Sequence, residues 1–437
     1  MKYYSTNDKS KNNLVSFETA VMQGLAAEGG LLMPMEIPKF MIGFIESLEN
    51  KSLQEIGFEV AEKFVDGEIS SGDLQNIISN AINFPAPLFN LSENLSILEL
   101  FHGPTLAFKD FGARFMARTM GHFVSKENRE LNILVATSGD TGSAVACGFY
   151  DTPGINVFIL YPKGKVSLIQ EMQLTTLDKN ITALEIDGTF DDCQRLVKTA
   201  FVDGEINKKI NLSSANSINI ARLLPQSFYY IEAFKQIPDK KLSSIISVPS
   251  GNLGNLTAGL IAKKMGLPVT KFIGAVNANT VFAEYVNEGK FNPRASIQTL
   301  SNAMDVGNPS NLARIQEMYS DVLKNVQFDI YSESNDDSAT RKGIREVFEN
   351  YNYIIDPHGS VGYLAFKNYI EKNNLKDYYG IILETAHPAK FKDVIEEELK
   401  IDVNIPERLA VCMKKEKKAF SLSKEYEQLK EFLLNKK

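Results

Sequence analysis

At 437 residues, with 23 % charged and 44 % hydrophobic residues, the chain has the make-up of a soluble globular protein too long for one small core, so two or three domains are expected. Its net charge of -7, with no dense Lys/Arg stripe, argues against a nucleic-acid partner, and no run reaches the roughly 20 apolar residues of a membrane span. The polar start MKYYSTNDKSKNN has no apolar core of a signal peptide, and Cys147, Cys193 and Cys412 form no metal-type cluster, so a cytoplasmic protein without disulfides or bound metal is expected.

The first 95 residues read as helical. FETAVMQGLA (17–26), FMIGFIESLE (40–49) and SLQEIGFEVAEKFV (52–65) place apolar residues three and four apart. The two prolines of FPAPL (84–88) predict an extended stretch and a boundary. From about residue 96 short β-rich runs alternate with longer helical ones. The strands are LSILEL (95–100), LNILVA (131–136), NVFILY (156–161), ITALEI (181–186), SIISVP (244–249), KFIGAV (271–276) and YGIILE (379–384). Continuous apolar strands between helices predict parallel sheets covered on both faces, an α/β fold. In the C-terminal SKEYEQLKEFLLNKK, Tyr426, Leu429 and Leu433 form one stripe and predict a packing helix. The division expected is a helical N-terminal domain (1–95), an α/β lobe (96–240) and a second α/β lobe (241–437), with the lobes free to interleave.

Four stretches carry chemistry. FHGPTLAFKDF (101–111) sets Lys109 after a Gly-Pro turn and the apolar Leu106, Ala107 and Phe108, at the start of a helical run. Burial and the positive end of the helix dipole both lower a lysine pKa, and a neutral amine can form a Schiff base. The plain alternative is an ammonium that reaches solvent or pairs with Asp110. TSGDTGSA (137–144) and SGNLGNLTAG (250–259) each follow a strand and open a helix. There small residues let backbone N–H groups approach an anion. The second is the better phosphate cradle, through Gly251, Asn252, Leu253, Gly254 and Asn255. Neither is a Walker A loop or a GxGxxG, and a plain strand-to-helix turn stays open for both. NLSSANSINIAR (211–222) gathers Ser213, Ser214, Asn216, Ser217, Asn219 and Arg222, a set suited to a phosphate or carboxylate, or to a capped irregular loop.

A reactive lysine and a phosphate cradle in one α/β chain match the two ends of pyridoxal phosphate, an aldehyde and a phosphate. With VSFETAVMQGLAAEGGLLMP (15–34), LYPKGKVS, LSNAMDVGNPSN and ETAHPAKF, these motifs make the whole chain resemble the threonine synthase family, in its longer microbial and fungal group of fold type II pyridoxal-phosphate enzymes. The resemblance implies two parallel-sheet lobes of the tryptophan synthase β kind and a mostly helical N-terminal domain. It implies conversion of O-phospho-L-homoserine and water to L-threonine and phosphate, by a lyase that is a monomer or homodimer. Lys109 is then the lysine that holds the cofactor and moves protons at Cα and Cβ. Residues 251–255 hold the cofactor phosphate, and Thr385 faces the pyridine nitrogen. Asp140 lies near the ring hydroxyl, where many relatives have asparagine. Thr137 and Ser138 take the substrate carboxylate, and Thr141, Asn216, Ser217, Asn219 and Arg222 take the substrate phosphate. Serine and threonine dehydratases share the lysine and the glycine loop, and NSINIAR is what separates them. Lys163 and Lys165 read as solvated, Cys147 as a core residue, and His358 and His387 take no assigned role.

Overall fold

The computed structural model describes residues 1–127, 130–137 and 139–435. Its strands are β1 (Tyr3–Ser5), β2 (Leu32–Pro34), β3 (Leu88–Ser92), β4 (Leu95–Glu99), β5 (Leu131–Ala136), β6 (Ile155–Pro162), β7 (Ile181–Asp187), β8 (Leu212–Ser213), β9 (Ser243–Pro249), β10 (Lys271–Val276), β11 (Ile330–Ser334), β12 (Tyr378–Glu384) and β13 (Phe420–Ser423). They form a six-stranded sheet in the order β11-β10-β9-β12-β4-β3, a five-stranded sheet in the order β13-β7-β6-β5-β8, and the antiparallel pair β1-β2. In the two large sheets every pairing except β3 with β4 is parallel. All six residues of β5 are buried, and so are the last six of β9. Helices on both faces leave such strands no polar side, which is why they read as unbroken apolar runs. The sheets interleave in sequence. β4, which precedes Lys109, pairs with β12 in the six-stranded sheet, whereas C-terminal β13 completes the five-stranded one.

In the N-terminal region, helix Leu53–Val65 starts where Ser52 and Glu55 form a reciprocal capping box and stops at left-handed Asp66. Helix Phe17–Gln23 ends early, because Gly24 takes a positive φ of 71°. The helix expected over 40–49 is not continuous. The Phe40 N–H donates to Met265 O at 2.8 Å and Gly43 turns left-handed (φ 83°), so only Phe44–Ser47 is α-helical before the 3-10 turn Leu48–Asn50. Docking on the end of helix Gly254–Met265 overrides local periodicity there. Helix Ser71–Ala81, the pair β1-β2 and strand β3 carry no clear sequence signal, whereas β4 is the expected strand LSILEL.

The C-terminal helix Tyr426–Asn435 buries Leu429 and Leu433 beside Leu196, Val197 and Ala200, and the Tyr426 hydroxyl donates to Asp203 Oδ2 at 2.8 Å. Among the described residues no helix is long and apolar enough to cross a membrane, and no His/Cys/Asp/Glu group is placed to hold a metal.

Candidate active site

The helix Lys109–Glu127 begins in a turn held from both sides. The Phe108 N–H donates to Thr385 O at 2.9 Å and the His387 N–H to Leu106 O at 3.1 Å, a short antiparallel bridge centred on Ala107 and Ala386 just past β12. On the other side Asp110 accepts from the Thr105 N–H and hydroxyl, both at 2.8 Å. These bonds hold buried Leu106 in a left-handed conformation (φ 58°), a strain of roughly 1–3 kcal/mol. Asp110 is thus engaged with Thr105 and not with the neighbouring lysine. Burial raises its carboxyl to about 6 despite those two bonds.

Lys109 heads this helix with its Nζ 5.8 Å from the Phe108 ring centroid. Burial pushes its amine down to about 8; Arg222 and Lys390 push the same way, and Asp140 opposes them. Asp140 is the first residue of the helix after β5 and is buried. Its Oδ1 accepts from Lys390 Nζ and from Gln170 Nε2, each at 2.9 Å. Burial works against its charge, but Lys390, Lys109 and the two hydrogen bonds together hold the carboxylate well below its ordinary range. Thr137 shapes the turn before it: its hydroxyl accepts from the Gly139 and Gly142 N–H groups at 3.1 and 2.8 Å. Thr141 is partly exposed beside Asp140. Ser138 lies outside the described residues.

The loop 250–253 after β9 is closed by its own side chains. Asn255 accepts from the Ser250 hydroxyl at 2.6 Å and donates to Pro249 O at 2.9 Å. Leu253 is buried and left-handed (φ 61°), which turns the chain into the helix Gly254–Met265. Gly251 packs so tightly that a Cβ there would lie 2.7 Å from Met304 Cα. With these side chains turned inward, the groups left to face a ligand are the backbone amides of the helix start, which have no intrahelical acceptors.

This loop is joined to NSINIAR. Asn252 Nδ2 donates to Ser217 Oγ at 2.6 Å, and Asn252 Oδ1 accepts from the Ser310 N–H at 2.6 Å. Asn311 bridges both segments, donating to Asn252 O at 2.9 Å and Ser217 O at 3.3 Å. Behind Asn311, fully buried Arg314 donates to Asn311 Oδ1 (2.7 Å), Ile218 O (2.6 Å) and Leu32 O (2.9 Å). Asn216 is partly exposed, but Asn219 is buried as a brace: it caps helix Ile220–Leu223 and donates to Val21 O at 2.8 Å. Arg222 is 2 % exposed, donates to Ala215 O at 2.5 Å and leaves its Nε without a partner among the described residues. Burial pushes this guanidinium down to about 10, with Asp110 opposing.

Known proteins fit this geometry. The sequence pattern of pyridoxal-phosphate dependent enzymes matches residues 84–383, that of the threonine synthase N terminus residues 2–82, and that of the threonine synthase C-terminal region residues 359–433. Threonine synthase of Buchnera aphidicola subsp. Schizaphis graminum is 43 % identical, with 100 % of both chains covered. The chain belongs to the threonine synthase family. The crystal structure of threonine synthase from Escherichia coli superposes with a TM-score of 0.92 at 41 % identity over 100 % of both chains. The pyridoxal-phosphate-bound threonine synthase from Brucella melitensis gives 0.92 at 32 % identity over 99 % of both.

As a member of this family the protein is a pyridoxal-phosphate-dependent lyase, with the fold type II architecture and threonine biosynthesis as its setting. Its residues fit that cofactor. A helix start with no side-chain cap suits the phosphate, and the amine of Lys109, lowered to about 8, suits the aldehyde. Lys390, Gln170, Asn311 and Arg314 were not singled out from sequence. Lys390 did offer a signal, since ETAHPAKF repeats the oddity of FHGPTLAFKDF, a lysine in an apolar motif.

Proposed function

We propose that the protein converts O-phospho-L-homoserine and water to L-threonine and phosphate. The Asn252–Ser217 bond carries this reading, because it joins the candidate cofactor cradle to a segment that presents a buried arginine with an unpartnered Nε. A cradle alone fits any pyridoxal-phosphate enzyme. A second polar segment with a fixed cation fits a substrate that brings its own phosphate.

Pyridoxal phosphate, when bound, supplies the aldehyde that takes up the substrate amino group and a ring that withdraws electrons from Cα. The backbone of Gly251, Asn252, Leu253, Gly254 and Asn255 would hold its phosphate, the Thr385 hydroxyl its ring nitrogen, and Asp140 would lie toward its ring hydroxyl. Lys109 would hold the aldehyde in the resting enzyme, and its amine then carries protons. It removes the Cα proton and then a Cβ proton. The Cγ–O bond breaks and phosphate leaves with the electron pair, received by Thr141, Asn216, Ser217 and Arg222, with Asn219 bracing that segment. Cγ gains a proton to become the methyl group, water adds its hydroxyl at Cβ, and Cα is reprotonated. An amine near 8 can both take and return protons at neutral pH. Thr137, Ser138 and the amides around them hold the substrate carboxylate. Three free cysteines suit a cytoplasmic setting, and the reading includes a monomer or homodimer.

The test is to supply O-phospho-L-homoserine to the cofactor-loaded protein and measure phosphate and threonine, which should appear in equal amounts. No phosphate release would sink the reading. Arg222→Ala should cripple this turnover. If serine or threonine is consumed instead, and Arg222→Ala leaves that rate unchanged, the protein is a dehydratase.

A further inference from the structure

Lys390 is a second lysine in the interior of the site. Its side chain is 0 % exposed, and its Nζ lies 2.9 Å from Asp140 Oδ1. A buried ammonium without an anion is strongly unfavourable, so the pair has to be read together. It spans the two sheets, since Asp140 follows β5 and Lys390 lies beyond β12. Gln170, on helix Leu168–Thr175, donates to the same Oδ1 at 2.9 Å. Two donors therefore fix one carboxylate oxygen from two directions. Ser167 caps the helix that carries Gln170, so that donor is itself held.

Lys109 shares this surrounding. Asp140 acts on it as an opposite charge, and Arg222 and Lys390 as like charges. The further charged or titratable neighbours are Asp110 beside it and His387, three residues before Lys390. Remove Lys390 from this set, and the cation left facing Asp140 is Lys109. The partly buried ammonium of Lys109 would then pair with the buried carboxylate, and a paired ammonium is no nucleophile.

We propose that Lys390 is a positioning residue that binds Asp140 away from Lys109 and so leaves the Lys109 amine free to react with an aldehyde. This rests on reading Lys109 as the lysine that binds the cofactor. It also explains how an acid can occupy a place that needs no negative charge of its own: its charge is already countered within the protein.

The test uses the full-length protein, stripped of cofactor and mixed with pyridoxal 5'-phosphate over a pH series. Borohydride traps the adduct, and peptide mass spectrometry locates and counts it on Lys109. In Lys390→Met the pH midpoint of adduct formation should rise by about one unit, a roughly tenfold slower reaction at pH 7. Lys390→Gln keeps a hydrogen-bond donor but no charge. It should rise in the same direction, and it carries the test if the methionine variant does not fold. Lys390→Arg should return the wild-type midpoint, and Asp140→Asn combined with Lys390→Met should lie below Lys390→Met alone, because no stranded carboxylate remains. A midpoint that stays in place in folded Lys390→Gln overturns the proposal. A wild-type protein whose trapped adduct is not on Lys109 overturns the reading beneath it as well, and the two failures are told apart by which lysine carries the label.

Discussion

Asn252 donates its side-chain amide to the hydroxyl of Ser217 at 2.6 Å, across 35 residues of sequence. The loop after β9 and the polar segment 211–222 are therefore one structural unit. Asn252→Ala should weaken cofactor binding by about tenfold, which corresponds to roughly 1.4 kcal/mol. Ser217→Ala should then cost less in the Asn252→Ala background than in the wild type. A double-mutant cycle on the cofactor dissociation constant, followed by fluorescence, checks this. Effects that add within about 0.3 kcal/mol would show that the two segments act independently.

Among the described residues Arg314 has no carboxylate partner, and burial lowers its guanidinium to about 9. It is retained by three acceptors, Asn311 Oδ1, Ile218 O and Leu32 O, which belong to three separate parts of the chain. Arg314→Met removes an unfavourable buried charge but strands all three acceptors, each at about 1–3 kcal/mol. The net expectation is a loss of about 2–4 kcal/mol in stability, read from the urea midpoint. Arg314→Lys should not restore it, since one ammonium cannot span three acceptors that a planar fork reaches. A midpoint unchanged in Arg314→Met would mean that the N-terminal strand β2 docks without it.

The site is legible in motifs whose residues act locally. The inner strands of both sheets, such as β5 and β9, show as unbroken apolar runs because packing on both faces leaves no other choice, whereas the edge strands β3, β8, β11 and β13 do not. The two glycine-bearing loops follow from their placement after strands. Lys109 is legible because its neighbours in sequence are also its neighbours in space. Asn311, Arg314 and Gln170 are not legible for the opposite reason. Each gains its role from residues 30 or more positions away, and nothing around it in the chain signals that. Asn219 reads as one polar side chain among several. Only its bond to Val21 O shows that it braces the segment from behind. The broken helix near Gly43 failed for the same cause, a docking contact at Met265 that periodicity cannot register.

Asp110 gives the protein a specific pH dependence. Burial raises its carboxyl to about 6 in the folded state, above its ordinary value. Between about pH 4 and pH 6 the unfolded chain releases this proton while the folded chain keeps it. Stability from this group is thus fully present below pH 4 and is lost as pH rises through 6. Asp110→Asn removes that loss. Relative to the wild type, the variant should gain stability as pH rises from 4 to 6, by at most on the order of 3 kcal/mol. Urea denaturation at several pH values measures the difference. A constant difference across that window would mean that Thr105 holds the carboxyl at its ordinary value after all.

Gly359 marks where the support beneath Thr385 is tightest. It lies in helix Pro357–Asn373, where alanine would ordinarily gain about 1 kcal/mol. A Cβ at Gly359 would however overlap Glu384 Oε2 and come within 2.7 Å of Ile355 Cγ1. Glu384 is fully buried, accepts from the Asp356 N–H at 2.6 Å and directly precedes Thr385, so it cannot yield without moving the segment that bonds Phe108. Overlap should therefore outweigh helix propensity, and Gly359→Ala should lose about 2 kcal/mol or more. The cofactor absorbance should shift with it, as the Thr385 segment is displaced. Removing the obstruction supplies the control. Gly359→Ala combined with Glu384→Ala should be more stable than the sum of the two single changes by at least about 1 kcal/mol, because the new methyl then fills space the shorter side chain leaves. Simple additivity would place the strain elsewhere than between Gly359 and Glu384.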